Sequence, residues 1–290
     1  MMEIRRMGPI GAEITGVDVK TMDDAAFSKI YQAWLDSNVI VVRDQSLQIG
    51  DYLRYSLRFG VISPHPSKST RHPECPEVTL LGANKFRADG RLDTAIYSRG
   101  AQGFHTDGSY EKVPFKATQL YALAIPSRGG DTFFSSGYAA YEELPPHLKQ
   151  RLEGRMGTFK YGGLRKLNAL LNEEDRNVPP VRHPLVQVHP ETGRKSLFIG
   201  GKVKQIVGMH PDESATLVQF LCNHAAQPRF LYRHQWQKED VLLWDNRCTN
   251  HIGLGDYDRA YPRNIDRTTV KGLPAGYAYS GPVHYQGPRL

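Results

Sequence analysis

Cysteine is scarce in this 290-residue chain: Cys75, Cys222 and Cys248 are far apart, odd in number and form no CxxC pair. That argues against a disulfide framework or a structural zinc site and leaves three small core fillers, suited to a reducing compartment. Long hydrophobic runs are also missing, since no stretch approaches the about 18 apolar residues of a membrane span. The N-terminal Met1-Met2-Glu3-Ile4-Arg5-Arg6 has basic residues with no apolar segment behind them, so no signal peptide is indicated and a cytoplasmic location is expected. Runs of positive charge are absent too. The net charge is +7, but Lys and Arg never stand more than two in a row. Such scatter speaks against a nucleic-acid partner, and a pocket for small anions accounts for the excess equally well. No repeat, low-complexity tract or long linker interrupts the chain, so a single domain over residues 1–290 is the simplest organisation.

What is present belongs to an ordinary globular protein, with 40% hydrophobic and 23% charged residues. Phe27, Ile30, Tyr31, Trp34 and Leu35 form one apolar helical stripe that begins near Asp23-Asp24. Val39–Val42 reads as a short buried strand, and a second helix is expected between Ile49 and Phe59. Beyond it lie short segments rich in β-formers: Val78–Leu81, Thr118–Ile125, Thr132–Phe134, Leu185–Val188, Ser196–Ile199, Phe230–Trp236 and Val241–Trp244. The turn His189-Pro190-Glu191-Thr192-Gly193 predicts a hairpin. Helices are expected near Tyr138–Leu152 and Pro211–Ala225. The pattern points to a mainly β fold, a double-stranded β-helix (jelly roll, cupin-like) with flanking α-helices.

Gly103-Phe104-His105-Thr106-Asp107-Gly108 is the first chemical signal. On a strand, His105 and Asp107 would project from one face and Thr106 from the other. A distant second histidine would complete two nitrogens and one carboxylate on one face of a metal, a set that suits Fe(II). An isolated His-x-Asp pair fits a structural role as well. His65, His72, His183, His189 and His210 neighbour prolines or turn residues and read as loop residues. His251 differs, because Arg263-Asn264-Ile265-Asp266-Arg267-Thr268 follows it and resumes a strand. An arginine there can grip the distal carboxylate of a co-substrate whose other end chelates the metal. A loop histidine beside solvated arginines fits that local pattern too.

Several marks in order and spacing go further: Gly11-Ala12-Glu13-Ile14 with Gly16-Val17-Asp18, Arg58-Phe59-Gly60, His105-Thr106-Asp107, Gly129-Gly130-Asp131-Thr132, Trp244-Asp245-Asn246-Arg247, and His251 with Arg263 and Arg267. From about Gly11 to Val270 the chain resembles the taurine dioxygenase/TfdA family of Fe(II)/2-oxoglutarate-dependent oxygenases. The resemblance implies an enzyme with His105, Asp107 and His251 as catalytic metal ligands. It implies Fe(II) as cofactor and 2-oxoglutarate and O2 as co-substrates, with succinate and carbon dioxide released as a C–H bond is hydroxylated. Because Asp107 is retained, where related halogenases carry a small residue, oxygen transfer is favoured over halogenation. Thr132, 27 residues past His105, matches the threonine that bonds the far carboxylate of 2-oxoglutarate. Arg263, 12 residues past His251, matches its clamp. Arg267 matches a second arginine shared between 2-oxoglutarate and an anionic substrate, and Trp244 is expected to wall the iron pocket.

The taurine pocket itself carries over poorly. His65 matches a family histidine that contacts the sulfonate, but Lys68, Val203 and Ala101 stand where a tyrosine, a phenylalanine and an asparagine are expected. A cation at 68 and a smaller side chain at 203 imply a roomier site for a larger carboxylate or sulfonate than taurine. The expected partner is therefore a small anionic organic molecule, with no nucleic acid and no membrane, and a homo-oligomer is compatible. Desaturation, ring formation and oxidative decarboxylation remain open as outcomes, as does a non-oxidative cupin-like metal protein.

Overall fold

A computed structural model of the chain describes residues 2–65, 70–82, 103–161, 178–258 and 261–272. Its first strands are β1 (Glu3–Arg6), β2 (Ala12–Thr15), β3 (Val39–Val42), β4 (Thr79–Gly82), β5 (Ala117–Ala124) and β6 (Thr132–Ser136). They are followed by β7 (Met156–Phe159), β8 (Val181–Pro184), β9 (Val186–Val188), β10 (Lys195–Leu197) and β11 (Val203–Ile206). The last are β12 (Leu231–His234), β13 (Val241–Asp245), β14 (Thr249–Gly253) and β15 (Asn264–Val270). The helices are α1 (Asp24–Ser37), α2 (Ile49–Leu57), α3 (Gly137–Glu142), α4 (Pro146–Leu152) and α5 (Pro211–Ala225). No helix among the described residues is long and apolar enough to cross a membrane.

Seven strands form one sheet in the order β1-β2-β3-β13-β5-β15-β4, and β12-β6-β14 form a second. Strand β3 and the Val241–Trp244 stretch of β13 are apolar throughout because both faces are covered. Ile40 and Val42 of β3 and Val241 and Leu243 of β13 join the cluster beneath the helices, with Ile30, Trp34, Tyr52, Tyr55 and Phe59. Val39, Val41, Leu242 and Trp244 point the other way and meet Phe134 and Tyr232 of the small sheet. Strand alternation alone separates the two sets. The layer between the sheets is the jelly-roll interior, and the site opens from it.

The helical stripe is α1, started by Asp23, whose carboxylate accepts from the Ala26 N–H at 2.7 Å. The segment expected as one helix over Tyr138–Leu152 is instead α3 and α4. Pro145 lacks the N–H that a continuous helix needs, and Pro146 opens the next one. The turn at 189–193 does join β9 to β10 as a hairpin. All three cysteines are free, with Cys75 and Cys248 buried.

Two expectations need correction. His105 and Asp107 do not lie on a regular strand; His105 makes a single bridge to His251, and the chain then turns. Gly108, at φ +71°, holds that turn, and a Cβ there would stand 2.5 Å from the Phe115 ring. His183 is not a loop residue but a strand residue, whereas His189 lies in the turn as expected. Both are buried: His183 lies on β8 and bonds the Glu111 carbonyl at 2.9 Å, while His189 bonds Asp245 at 3.0 Å.

Candidate active site

Strand β14 carries His251 into the interior opposite Phe134 of β6. The bridge between His105 and His251 is made by two backbone hydrogen bonds, of 3.1 and 2.8 Å. It brings the two imidazoles to 4.4 Å between ring centres. Two residues on from His105, Asp107 turns its Oδ1 to 3.7 Å from His105 Nε2. One ligand atom from each of His105, Asp107 and His251 lies within 4.8 Å of the others. Thr106 does point away, bonding Asn250 Oδ1 at 2.8 Å on the far side.

The protonation states are those a cation requires. Burial and the neighbouring His105 push the His251 imidazole down to about 3, so it is neutral at physiological pH. Burial lowers His105 as well. Burial would raise the Asp107 carboxyl, but His251, Arg267 and His105 around it hold it well below the usual carboxylate range. His105 Nδ1 lies 3.1 Å from the Gly103 carbonyl. A proton on that nitrogen leaves the Nε2 lone pair facing Asp107. Two neutral imidazoles and one ionised carboxylate are the donor set of a divalent metal with open positions, so these residues fit Fe(II).

The predicted co-substrate residues converge near this triad. Thr132 on β6 pairs with Gly253 of β14, two residues beyond the Phe134–His251 pair, so Thr132 and His251 share the interior face about 7 Å apart along the strands. Its Oγ1 accepts from Trp236 Nε1 at 3.1 Å, which leaves its own O–H to donate elsewhere. Arg263 donates from Nη2 to the Gly130 carbonyl at 3.2 Å, while its buried Nε has no hydrogen-bond partner. Gly130, at φ +73°, permits that approach, since a Cβ would lie 3.2 Å from Arg263 Nε. Arg267 Nε, on β15 opposite Leu120, is likewise buried without a partner. A buried guanidinium N–H left unmatched costs free energy that a bound carboxylate would recover.

The remaining predicted residues are more scattered. Trp244 is buried, with its ring 4.6 Å from that of His251 and its N–H donated to Asn246 at 2.8 Å, so it supports a ligand from behind. Val203 belongs to the apolar cluster that includes Phe159 and Phe198. His65 bonds Thr70 through Nδ1 at 3.1 Å and accepts from Arg71 through its carbonyl. Lys68 and Ala101 lie outside the described residues.

Sequence reasoning missed Lys202, which is buried, with Nζ 5.9 Å from the rings of both Tyr110 and Tyr161. Burial lowers its ammonium, and the Asp107 charge counters that effect. The one signal in the sequence was its position beside Val203. Also missed were Thr118 and Trp236, which bond Asp107 and Thr132.

A second group, His189, Asp245 and Cys248, also brings potential metal donors together. Here the positive charge is already supplied, because Arg247 donates to both oxygens of Asp245 at 2.8 and 2.6 Å. Burial and Asp245 hold the Cys248 thiol well above its ordinary value, so no thiolate is offered. Arg247 also binds Glu191, which accepts from Tyr31 at 2.6 Å. The cluster ties α1, the β9–β10 hairpin and the β13–β14 turn together.

Comparison with known proteins agrees with this geometry. Residues 3–269 match the family described as taurine catabolism dioxygenase TauD, TfdA family. The chain is 32% identical to (S)-phenoxypropionate/alpha-ketoglutarate-dioxygenase of Sphingobium herbicidovorans, covering 91% of this chain and 93% of that one. It is 33% identical to an alkylsulfatase of Acinetobacter baylyi, covering 93% and 85%. A solved taurine dioxygenase structure from Burkholderia xenovorans matches with a TM-score of 0.78 at 30% identity, covering 94% and 90%.

Proposed function

Because this chain belongs to the taurine catabolism dioxygenase TauD, TfdA family, we propose that its site binds Fe(II) through His105, Asp107 and His251 and consumes 2-oxoglutarate and dioxygen. It hydroxylates an unactivated C–H bond of a small organic carboxylate, sulfonate or sulfate, with release of succinate and carbon dioxide. Fe(II) at the triad supplies the activation of dioxygen that is coupled to 2-oxoglutarate decarboxylation.

The chain's own residues do the rest. The two imidazoles and the carboxylate would hold the metal through three donors and leave it positions for other ligands. Arg263 and the Thr132 hydroxyl bind the far carboxylate of 2-oxoglutarate. The spacing between Thr132 and His251 suits a short dicarboxylate whose other end reaches the triad. The observation that carries this reading is the buried, unmatched Nε of Arg263 beside Gly130.

Arg267 and Lys202 both place positive charge toward Asp107. Charge in such a buried setting is poorly screened and selects anionic over neutral substrates. The relatives' names, one for phenoxypropionate and one as an alkylsulfatase, support an organic anion. Hydroxylation beside an ether or ester oxygen gives a product that breaks at that carbon. The match from residue 3 to residue 269 supports one catalytic domain.

Two measurements test the proposal. Anaerobic protein with Fe(II) and 2-oxoglutarate should develop a weak visible charge-transfer band. A panel of aryloxy acids, sulfonates and sulfate esters should then reveal substrate-dependent succinate release. A protein that shows neither would overturn it.

A further inference from the structure

We propose that Trp244, Asn246 and Thr118 form a directional hydrogen-bond chain that selects which oxygen of Asp107 is offered to the metal. The inference rests on the assignment of His105, Asp107 and His251 as ligands and concerns how one of them is held.

The direction follows from donor chemistry. An indole N–H can only donate, so Trp244 Nε1 fixes Asn246 Oδ1, 2.8 Å away, as the acceptor. The amide orientation of Asn246 is thereby set, and its Nδ2 donates to Thr118 Oγ1 at 2.9 Å. With that oxygen already accepting, the Thr118 hydroxyl proton is directed outward, to Asp107 Oδ2 at 3.1 Å. An ionised carboxylate can only accept, so the chain ends there. Thr118 and Asn246 are fully buried and Trp244 is 1% exposed, so water does not compete for the two inner links.

Engaging Oδ2 leaves Oδ1, the oxygen facing His105 Nε2, as the free ligand atom. Binding through one oxygen keeps an additional metal position open, which a chelating carboxylate would close. The Trp244 ring also lies against the His251 ring. One residue therefore steadies two ligands, one by its face and one through its N–H.

Thr118 and Asn246 are positioning residues, and their effect is read on metal binding rather than turnover. The probe is Co(II), titrated anaerobically into metal-free protein, with affinity and visible absorption recorded. Thr118→Ser keeps the hydroxyl and should bind Co(II) as wild type does, with the same spectrum. Thr118→Ala differs from it only by that hydroxyl and should bind about ten- to a hundredfold more weakly, with an altered spectrum. Asn246→Asp is nearly isosteric but presents an acceptor to Thr118, so the hydroxyl turns toward residue 246 and Asp107 is released. It should weaken Co(II) to a similar degree, with the melting temperature of each variant measured alongside.

Equal Co(II) affinity and spectra for Thr118→Ser and Thr118→Ala would overturn the chain at its last link. Wild-type behaviour in Asn246→Asp would overturn its direction. Wild-type protein that bound no Co(II) at all would overturn the ligand assignment itself, a distinguishable failure.

Discussion

Replacing Arg263 by alanine removes a buried guanidinium that has only a partial set of partners in the free protein. Its Nη2 bonds the Gly130 carbonyl at 3.2 Å and its Nε bonds nothing. Burial even lowers this guanidinium below its ordinary value. The free enzyme thus gains little from Arg263, and in the proposed binding mode the 2-oxoglutarate complex gains much. A charge-assisted hydrogen bond to a carboxylate is worth about 1.5–3 kcal/mol, which corresponds to about ten- to a hundredfold in affinity. Arg263→Ala should therefore raise the 2-oxoglutarate dissociation constant by that factor while Fe(II) still binds.

Thermal denaturation separates this from a folding defect. Free Arg263→Ala should melt close to wild type, but the stabilisation that 2-oxoglutarate gives wild type should need proportionately more ligand. Arg263→Lys keeps the charge and loses the planar fork, so it should fall between the two. Thr132→Val should show a loss of the same kind but smaller, about 1 kcal/mol or fivefold, because a neutral hydroxyl is the donor. Unchanged 2-oxoglutarate half-saturation in Arg263→Ala would refute the reasoning and move the clamp to another cation.

His105→Ala, Asp107→Ala and His251→Ala should each abolish or greatly weaken the visible band formed with Fe(II) and 2-oxoglutarate; retention in all three would exclude this triad. Burial raises the Asp266 carboxyl from 3.8 to about 6, so folding favours its protonated form and stability falls as pH rises from about 4 to 6. Asp266→Asn should then be more stable than wild type at pH 7, by up to about 3 kcal/mol, and no different near pH 4 in urea titrations. Lys202→Met and Arg267→Ala should each lower kcat/KM for the best anionic substrate by about tenfold or more, with less effect on neutral analogues. A carboxylate or sulfonate bulkier than taurine should exceed taurine by at least about tenfold in kcat/KM, and a panel led by taurine would refute that.

Much of the fold was legible because burial on two faces leaves a strong pattern. Val39–Val42 and Val241–Trp244 are apolar at every position, and α1 shows its stripe and its Asp23 cap. The strands that were missed lack such a signal. Strand β1, Glu-Ile-Arg-Arg, is exposed along its length and exists by pairing with β2. Strands β7 and β11 are short and include glycine or several polar residues. His183 and His189 look like loop residues beside their prolines. The groups that bury them, the Glu111 carbonyl and Asp245, are 72 and 56 residues away in the chain.

The site divides in the same way. The proposed metal ligands and arginines are chemical requirements of the proposed reaction, and such requirements survive as letters at fixed spacing. The groups that orient them are ordinary residues whose role depends on which strands meet. Thr118 is one of several β-strand threonines until β13 pairs with β5 and brings Asn246, 128 residues later, within 2.9 Å. Lys202 shows the same limit over a distance of one residue. Sequence comparison drew attention to Val203, where a larger side chain was expected, yet Val203 packs among Phe159, Phe198 and Ile206. Its neighbour is the residue whose charge reaches Asp107. Adjacent side chains in extended chain leave on opposite sides. A comparison that draws attention to Val203 therefore gives no sign of the cation beside it, because only the packing turns that charge toward Asp107.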